Sequence, residues 1–168
     1  MPKPPILCSK NYLSYNKKMI YIASDHGGFK LKEELKSWLC NQTNIEDLGA
    51  FKLDPGDDYP DFIFPLAKKV ALDKDSLGIV IGRSGNGEVI VANKVKGIRA
   101  ALCLNEEMAV KAKEHNNANI LSLGADYIDF ELAKKITQAF LETTFSGKAR
   151  HVRRIEKIKK IEEENPIN

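Results

Sequence analysis

From Met19 onward, short unbroken apolar runs alternate with longer segments whose apolar residues recur every three or four positions. The runs at 19–24 (MIYIAS), 44–48, 78–82 (GIVIG), 98–104 (IRAALCL) and 120–124 (ILSLG) read as strands buried on both faces. The spacing between them predicts helices over 29–40, over 61–72, from RSGNGE through Val95, and over 105–115, where Asn105 is placed to cap. In the first, Phe29, Leu31, Leu35, Trp38 and Leu39 fall on or near one face. Two more helices, 129–143 and 148–164, close the chain. Gly49, Pro55, Gly56 and Pro60 mark 49–60 as a long loop. Buried strands alternating with helices call for an α/β fold: a five-stranded parallel sheet in a three-layer, doubly wound, Rossmann-like domain with right-handed crossovers and a C-terminal helical arm. Ligands in such folds sit at the carboxyl ends of the strands. The loops at 25–28 (DHGG), 83–88 (RSGNGE) and 115–119 (HNNAN) are therefore the ones to inspect, although the last leads into a strand instead of following one.

With 168 residues, the chain makes one domain, placed at 19–164, and can bury a core without disulfide help. Residues 1–18 carry basic side chains but no apolar signal segment; they are expected to be a flexible leader, and 165–168 a short tail. Cys8, Cys40 and Cys103 fit neither a zinc knuckle nor a CxxC motif, and scattered thiols suit a reducing cytoplasm. A net charge of +3 is too small to call for nucleic acid, and no apolar run is long enough for a membrane span.

The chemistry concentrates in GIVIGRSGNGE. Gly82, Gly85 and Gly87 lie between a strand and a helix, where glycine lets a ligand approach the amides. The G-x-x-G-x-G spacing is neither the dinucleotide fingerprint nor a Walker loop, and a plain tight turn would use the same glycines. Glu88 follows in the first helical turn. It could serve only the helix dipole, or it could be a general base beside amide donors, the pairing that enediolate chemistry needs. Two of the three histidines, His26 and His115, flank expected strand ends, where an imidazole could shuttle the proton that opens a sugar ring. Asp25 could orient a hydroxyl or an imidazole. The segment at 148–160 holds seven Lys and Arg residues, most of them readable as a solvated face, with Val152, Ile155, Ile158 and Ile161 as an apolar stripe. Arg150 and Arg154, four apart on one face, could clamp a phosphate.

Five blocks in order, ASDHGGFKLK, DYPD at 58–61, GIVIGRSGNGEVIVANKVKGIRAALC, EHNNANILSLGA and GKARHVRRIEKI, resemble the type B ribose-5-phosphate isomerases, a family that includes the galactose-6-phosphate isomerase subunits. The resemblance implies an aldose–ketose isomerase without metal or cofactor, active as a homodimer or dimer of dimers with sites shared between subunits. One branch of the family takes its base from a cysteine at the position of Gly82; this chain resembles the other branch, which implies Glu88. By the same resemblance His115 assists ring opening, and Asn116, Asp25 and His26 contact the substrate. Arg83, Ser84, Gly85, Asn86 and Gly87 line an anion hole, with Ser84 beside the chemistry, and Arg150 and Arg154 hold the phosphate. Cys103 is expected in the core. Two positions depart: Arg83 stands where the family usually has Gly, and Asp126 where it usually has an Arg of the phosphate site. Arg83 is expected to restore the charge that Asp126 removes. The competing expectations are a binding protein of this fold that has lost turnover, which Asp126 favours, and a nucleotide-binding flavodoxin-like domain, which the glycine spacing disfavours.

Overall fold

In the structure, a computed structural model, residues 7–8 and 18–165 are described. Five strands run parallel: β2 (Met19–Ser24), β3 (Asn44–Asp47), β4 (Leu77–Gly82), β5 (Ala100–Leu102) and β6 (Ile120–Gly124). A sixth, β1 (Leu7–Cys8), adds two residues antiparallel to β3. Apart from those two and Lys18, the expected leader, like the tail beyond Asn165, lies outside the described residues. The order is β1-β3-β2-β4-β6-β5. Because β3 lies on one side of β2 and β4 on the other, the chain reverses its winding between β2 and β4. That reversal opens a crevice at the carboxyl ends of these two strands.

The helices are α1 (Phe29–Leu39), α2 (Pro60–Leu72), α3 (Asn86–Ala92), α4 (Glu106–Asn116), α5 (Phe130–Glu142) and α6 (Ala149–Glu164). Leu31, Leu35 and Leu39 of α1, Ala109 of α4, and Ile136 and Phe140 of α5 bury one face of the sheet under Ile22, Ile79 and Leu121. Ile63, Leu66 and Val70 of α2 and Ala92 of α3 cover the other face. Each fully buried Leu, Ile or Phe contributes roughly 1.5–3 kcal/mol, so the two cores hold the sheet rigid beneath its loops. Cys103 is fully buried, and burial alone pushes its thiol up to about 12, the behaviour of the core residue expected.

Two expectations need correction. The strand expected over 98–104 keeps only 100–102, because turns close at Val95–Ile98 and the Arg99 N–H is taken by the Asn119 side chain. The helix expected through Val95 ends at Ala92, where tighter turns replace it. The apolar stripe of α6 is mostly uncovered within one chain: Ile155 is buried, but Val152, Ile158 and Ile161 are exposed.

Candidate active site

The crevice at the switch point gathers three loops. Asp25 and His26 follow β2, Arg83 to Gly87 follow β4, and Asp126 follows β6. Gly85 takes the left-handed conformation (φ 77°) that lets the chain turn from β4 into α3, and its carbonyl accepts from Ser122 Oγ at 2.8 Å. Ser84 Oγ accepts the Asn86 N–H at 3.2 Å, bracing the same turn. Glu88, in the first turn of α3, is buried. Its carboxylate lies against Gly82, in the space a side chain at position 82 would fill. Position 82 is where the resembling cysteine branch carries its base. A thiol there and the Glu88 carboxylate would compete for one place.

Burial pushes the Glu88 carboxyl above the usual carboxylate range, and the charge of Asp25 adds to the rise; hydrogen bonding to its own backbone N–H opposes it. Asp25 is itself buried and accepts the Gly28 N–H through Oδ1 at 3.2 Å. His26 is held by a residue that the sequence reading passed over. Asp57 Oδ1 accepts the His26 backbone N–H at 2.9 Å and lies 2.7 Å from ring Nδ1. Polar atoms of Asp25, His26 and Asp57 all lie within 4.8 Å of one another. That spacing would suit a cation, but the ring nitrogen in reach is already engaged by Asp57. Tyr59 was also missed: its ring lies so close to Gly87 that an added Cβ would meet Cζ at 2.8 Å. Both belong to the 49–60 loop, whose acidic GDDYPD run was the available signal.

The two departures meet each other. Arg83 Nε donates to Asp126 Oδ2 at 3.1 Å, and the Asp126 N–H donates to the Arg83 carbonyl at 2.9 Å. The Arg83 stem lies over Gly27, where a Cβ would strike its Cγ. Arg83 thus spans all three loops, with its positive charge matched to the Asp126 carboxylate.

The remaining expected residues lie at the other end of the sheet. His115 and Asn116 end α4, just before β6 begins, and Ile120 pairs with Gly78 while Gly82 pairs with Gly124. The four-residue step from Gly78 to Gly82 puts about 13 Å of strand between His115 and Glu88. His115 has company that the sequence did not predict. The ring of His151, buried on α6, packs on it with centroids 4.5 Å apart. Arg150 Nε donates to His151 Nε2 at 3.1 Å, and His151 Nδ1 lies 2.7 Å from Ser146 Oγ. A guanidinium can only donate, so Nε2 is the acceptor and Nδ1 carries the proton. Burial holds this imidazole below its usual pKa, with the charges of His115, Arg150, Lys148 and Arg154 acting the same way. His151 is therefore a neutral strut between His115 and Arg150. Arg150 and Arg154 are exposed beside it. One chain thus carries Glu88 with the glycine-rich loop at one end of the sheet, and His115 with Arg150 and Arg154 at the other.

The profile of the family described as Ribose/Galactose Isomerase matches residues 20–158. The ribose-5-phosphate isomerase B of Mycolicibacterium paratuberculosis is 45% identical over 138 residues, 82% of this chain and 87% of that one. A probable ribose-5-phosphate isomerase B of Mycoplasma genitalium is 44% identical over 154 residues, 90% of this chain and 99% of that one. Among solved structures, the ribose-5-phosphate isomerase B of Mycoplasma genitalium with bound ribulose-5-phosphate superposes with a TM-score of 0.85 at 42% identity, covering 90% of this chain and 100% of that one. The Clostridium thermocellum ribose-5-phosphate isomerase B gives 0.83 at 42% identity, covering 87% and 98%.

Proposed function

This chain belongs to the ribose/galactose isomerase family, and from that premise we propose that it interconverts ribose 5-phosphate and ribulose 5-phosphate through an enediolate, with Glu88 as the base. The observation that carries this reading is the Glu88 carboxylate, buried against Gly82 at the switch point, with its pKa raised by that burial. A base is most effective when its pKa lies near the working pH, and burial supplies that shift. Glu88 takes the proton from C2 of the open-chain aldose, and the electron pair moves through C1–C2 onto the carbonyl oxygen. The same carboxyl then returns its proton to C1 while the O2 proton passes to O1 and C2 becomes the carbonyl. In this proposal the loop from Arg83 to Gly87 offers the developing charge its amides, apart from the Asn86 N–H that Ser84 Oγ already accepts.

The ring-opening histidine and the phosphate arginines come, in this reading, from a second copy. His115, Asn116, Arg150 and Arg154 stand too far from Glu88 to share a five-carbon sugar phosphate with it inside one chain, but a two-fold partner brings its own set to the crevice. The uncovered Ile158 and Ile161 of α6 supply apolar surface for such a partner. Asp126 favours a protein that binds without turnover, but Arg83 already matches its charge, which weakens that case. Placement in the cytoplasm belongs to the same proposal. Among the described residues no helix is long and apolar enough to cross a membrane. The test is a panel of aldose 5- and 6-phosphates assayed for ketose without added metal. Ribose 5-phosphate should be converted by the native protein and not by Glu88→Gln; equal turnover by both would end the proposal.

A further inference from the structure

We propose that Asp57 is a positioning residue that holds His26 ready to donate to an oxygen of the sugar phosphate. This rests on the isomerase reading above and extends it to a residue outside the motifs that carried it. Asp57 lies 31 residues from His26, at the far end of the 49–60 loop, yet one oxygen, Oδ1, receives both the His26 backbone N–H and its ring. Two bonds to one acceptor fix the main chain and the ring together. The engaged nitrogen is Nδ1, so Nε2 is the only polar atom the ring has left. Nε2 has no partner among the described residues, and the side chain keeps a third of its surface open.

The charge distribution says which way the proton goes. Asp57 Oδ2 is buried without a hydrogen-bond partner among the described residues. A buried carboxylate in that state is costly unless a charge lies beside it, and the His26 ring is the neighbour in contact. The hydrogen bond to Asp57 raises the His26 pKa; burial opposes it, and the nearby Asp25 carboxylate, 3.8 Å from Nδ1, adds to the rise. The other charges around the ring are Arg83, whose stem crosses Gly27, and the Lys52–Asp54 ion pair on the same loop as Asp57. A carboxylate can only accept, so Nδ1 carries a proton toward Asp57; the raised pKa favours the doubly protonated ring, whose Nε2–H is a donor aimed away from the clamp. Without Asp57 the ring loses its proton at lower pH and its orientation with it.

Three measurements separate this role from a merely structural one. Asp57→Asn keeps an oxygen acceptor but removes the charge. It should lower the His26 ring pKa, read by NMR titration, and raise KM for ribose 5-phosphate about tenfold, the worth of one charge-assisted hydrogen bond, with kcat within about twofold of native. In a His26→Ala background the same change should leave KM where His26→Ala alone puts it, because a positioning residue has nothing left to position. An unchanged His26 pKa in Asp57→Asn, an unchanged KM, or an equal rise in KM with and without His26 would each overturn the proposal. The NMR titration needs no turnover. Loss of the isomerase reading, seen as full activity in Glu88→Gln, is thus distinguishable from loss of this one. Should Asp57→Asn fold poorly, Asp57→Glu tests the same clamp: it keeps the charge on a side chain one methylene longer and should raise KM less than Asn does, and a larger rise would count against the charge.

Discussion

Glu88 is buried and must still lose its proton to act as a base. Its raised pKa has two consequences whose signs can be worked out. Turnover needs the carboxylate, so kcat/KM should fall on the acid side through a pKa above that of an ordinary glutamate, and a pH–rate profile reads this directly. A carboxyl whose folded pKa lies above its unfolded value favours the fold below the unfolded pKa and loses that contribution as pH rises through the folded one. At neutral pH the charged group is therefore a burden. Glu88→Gln should lose about 10²–10⁴ in kcat and melt at or above the native temperature at pH 7, by calorimetry. A lower melting temperature would mean that the carboxylate stabilises the fold. Gly82→Ala tests the same spot from the strand side. Its Cβ and the Glu88 carboxylate cannot coexist, and a base moved by about 1 Å costs on the order of 10²-fold in rate. The Arg83–Asp126 pair is exposed and worth at most about 1 kcal/mol of stability, so its importance lies in charge at the crevice mouth. Arg83→Gly leaves Asp126 unopposed and should raise KM about tenfold, and adding Asp126→Arg should reverse it. Simple additivity of the two effects on KM would remove the compensation.

At the scale of elements, the alternation of buried strands and amphipathic helices was legible because each element announces itself within its own window. Asn105 reads as a cap, and its side chain accepts the Met108 N–H at 2.9 Å. What was hidden depends on partners far along the chain. Lys32 sits among the buried residues of α1, fully enclosed, and donates to both oxygens of Asp47 at 2.9 and 2.8 Å and to the Ala50 carbonyl at 2.8 Å. The periodicity of α1 includes position 32, but only the fold reveals that Asp47, at the end of β3, waits there. The pair anchors the start of the 49–60 loop, since Ser24 and Ala50 also exchange backbone bonds with that corner. Lys32→Met would leave the Asp47 charge buried with less compensation, and urea denaturation should show a loss of about 3–5 kcal/mol. A loss under about 1 kcal/mol would mean that Lys36, also bound to Asp47 at 2.6 Å, carries the load alone. His151 was unreadable for the same reason. Its sequence context is basic and exposed, and its contact with His115 exists only once α6 packs on α4.

The whole molecule divides its chemistry between two ends of one sheet. The motifs for Glu88 and for His115 were both visible in the sequence, and a parallel sheet already puts a loop that follows one strand and a loop that leads into another at opposite edges; the packing of His151 and Arg150 beside His115 was not visible there. In the proposed enzyme, one catalytic site takes its base from one copy and its ring-opening histidine from another. Two inactive proteins can test it together. Glu88→Gln and His115→Ala should each be nearly inactive on cyclic ribose 5-phosphate. When the two chains are co-refolded in equal amounts, random pairing under two-fold symmetry makes half of the dimers mixed, and each mixed dimer regains one wholly native site. The mixture should therefore recover about a quarter of native activity. If the mixture stays as inactive as its parents while size-exclusion and mass analysis show mixed dimers, Glu88 and His115 do not meet across an interface, and the shared site is wrong.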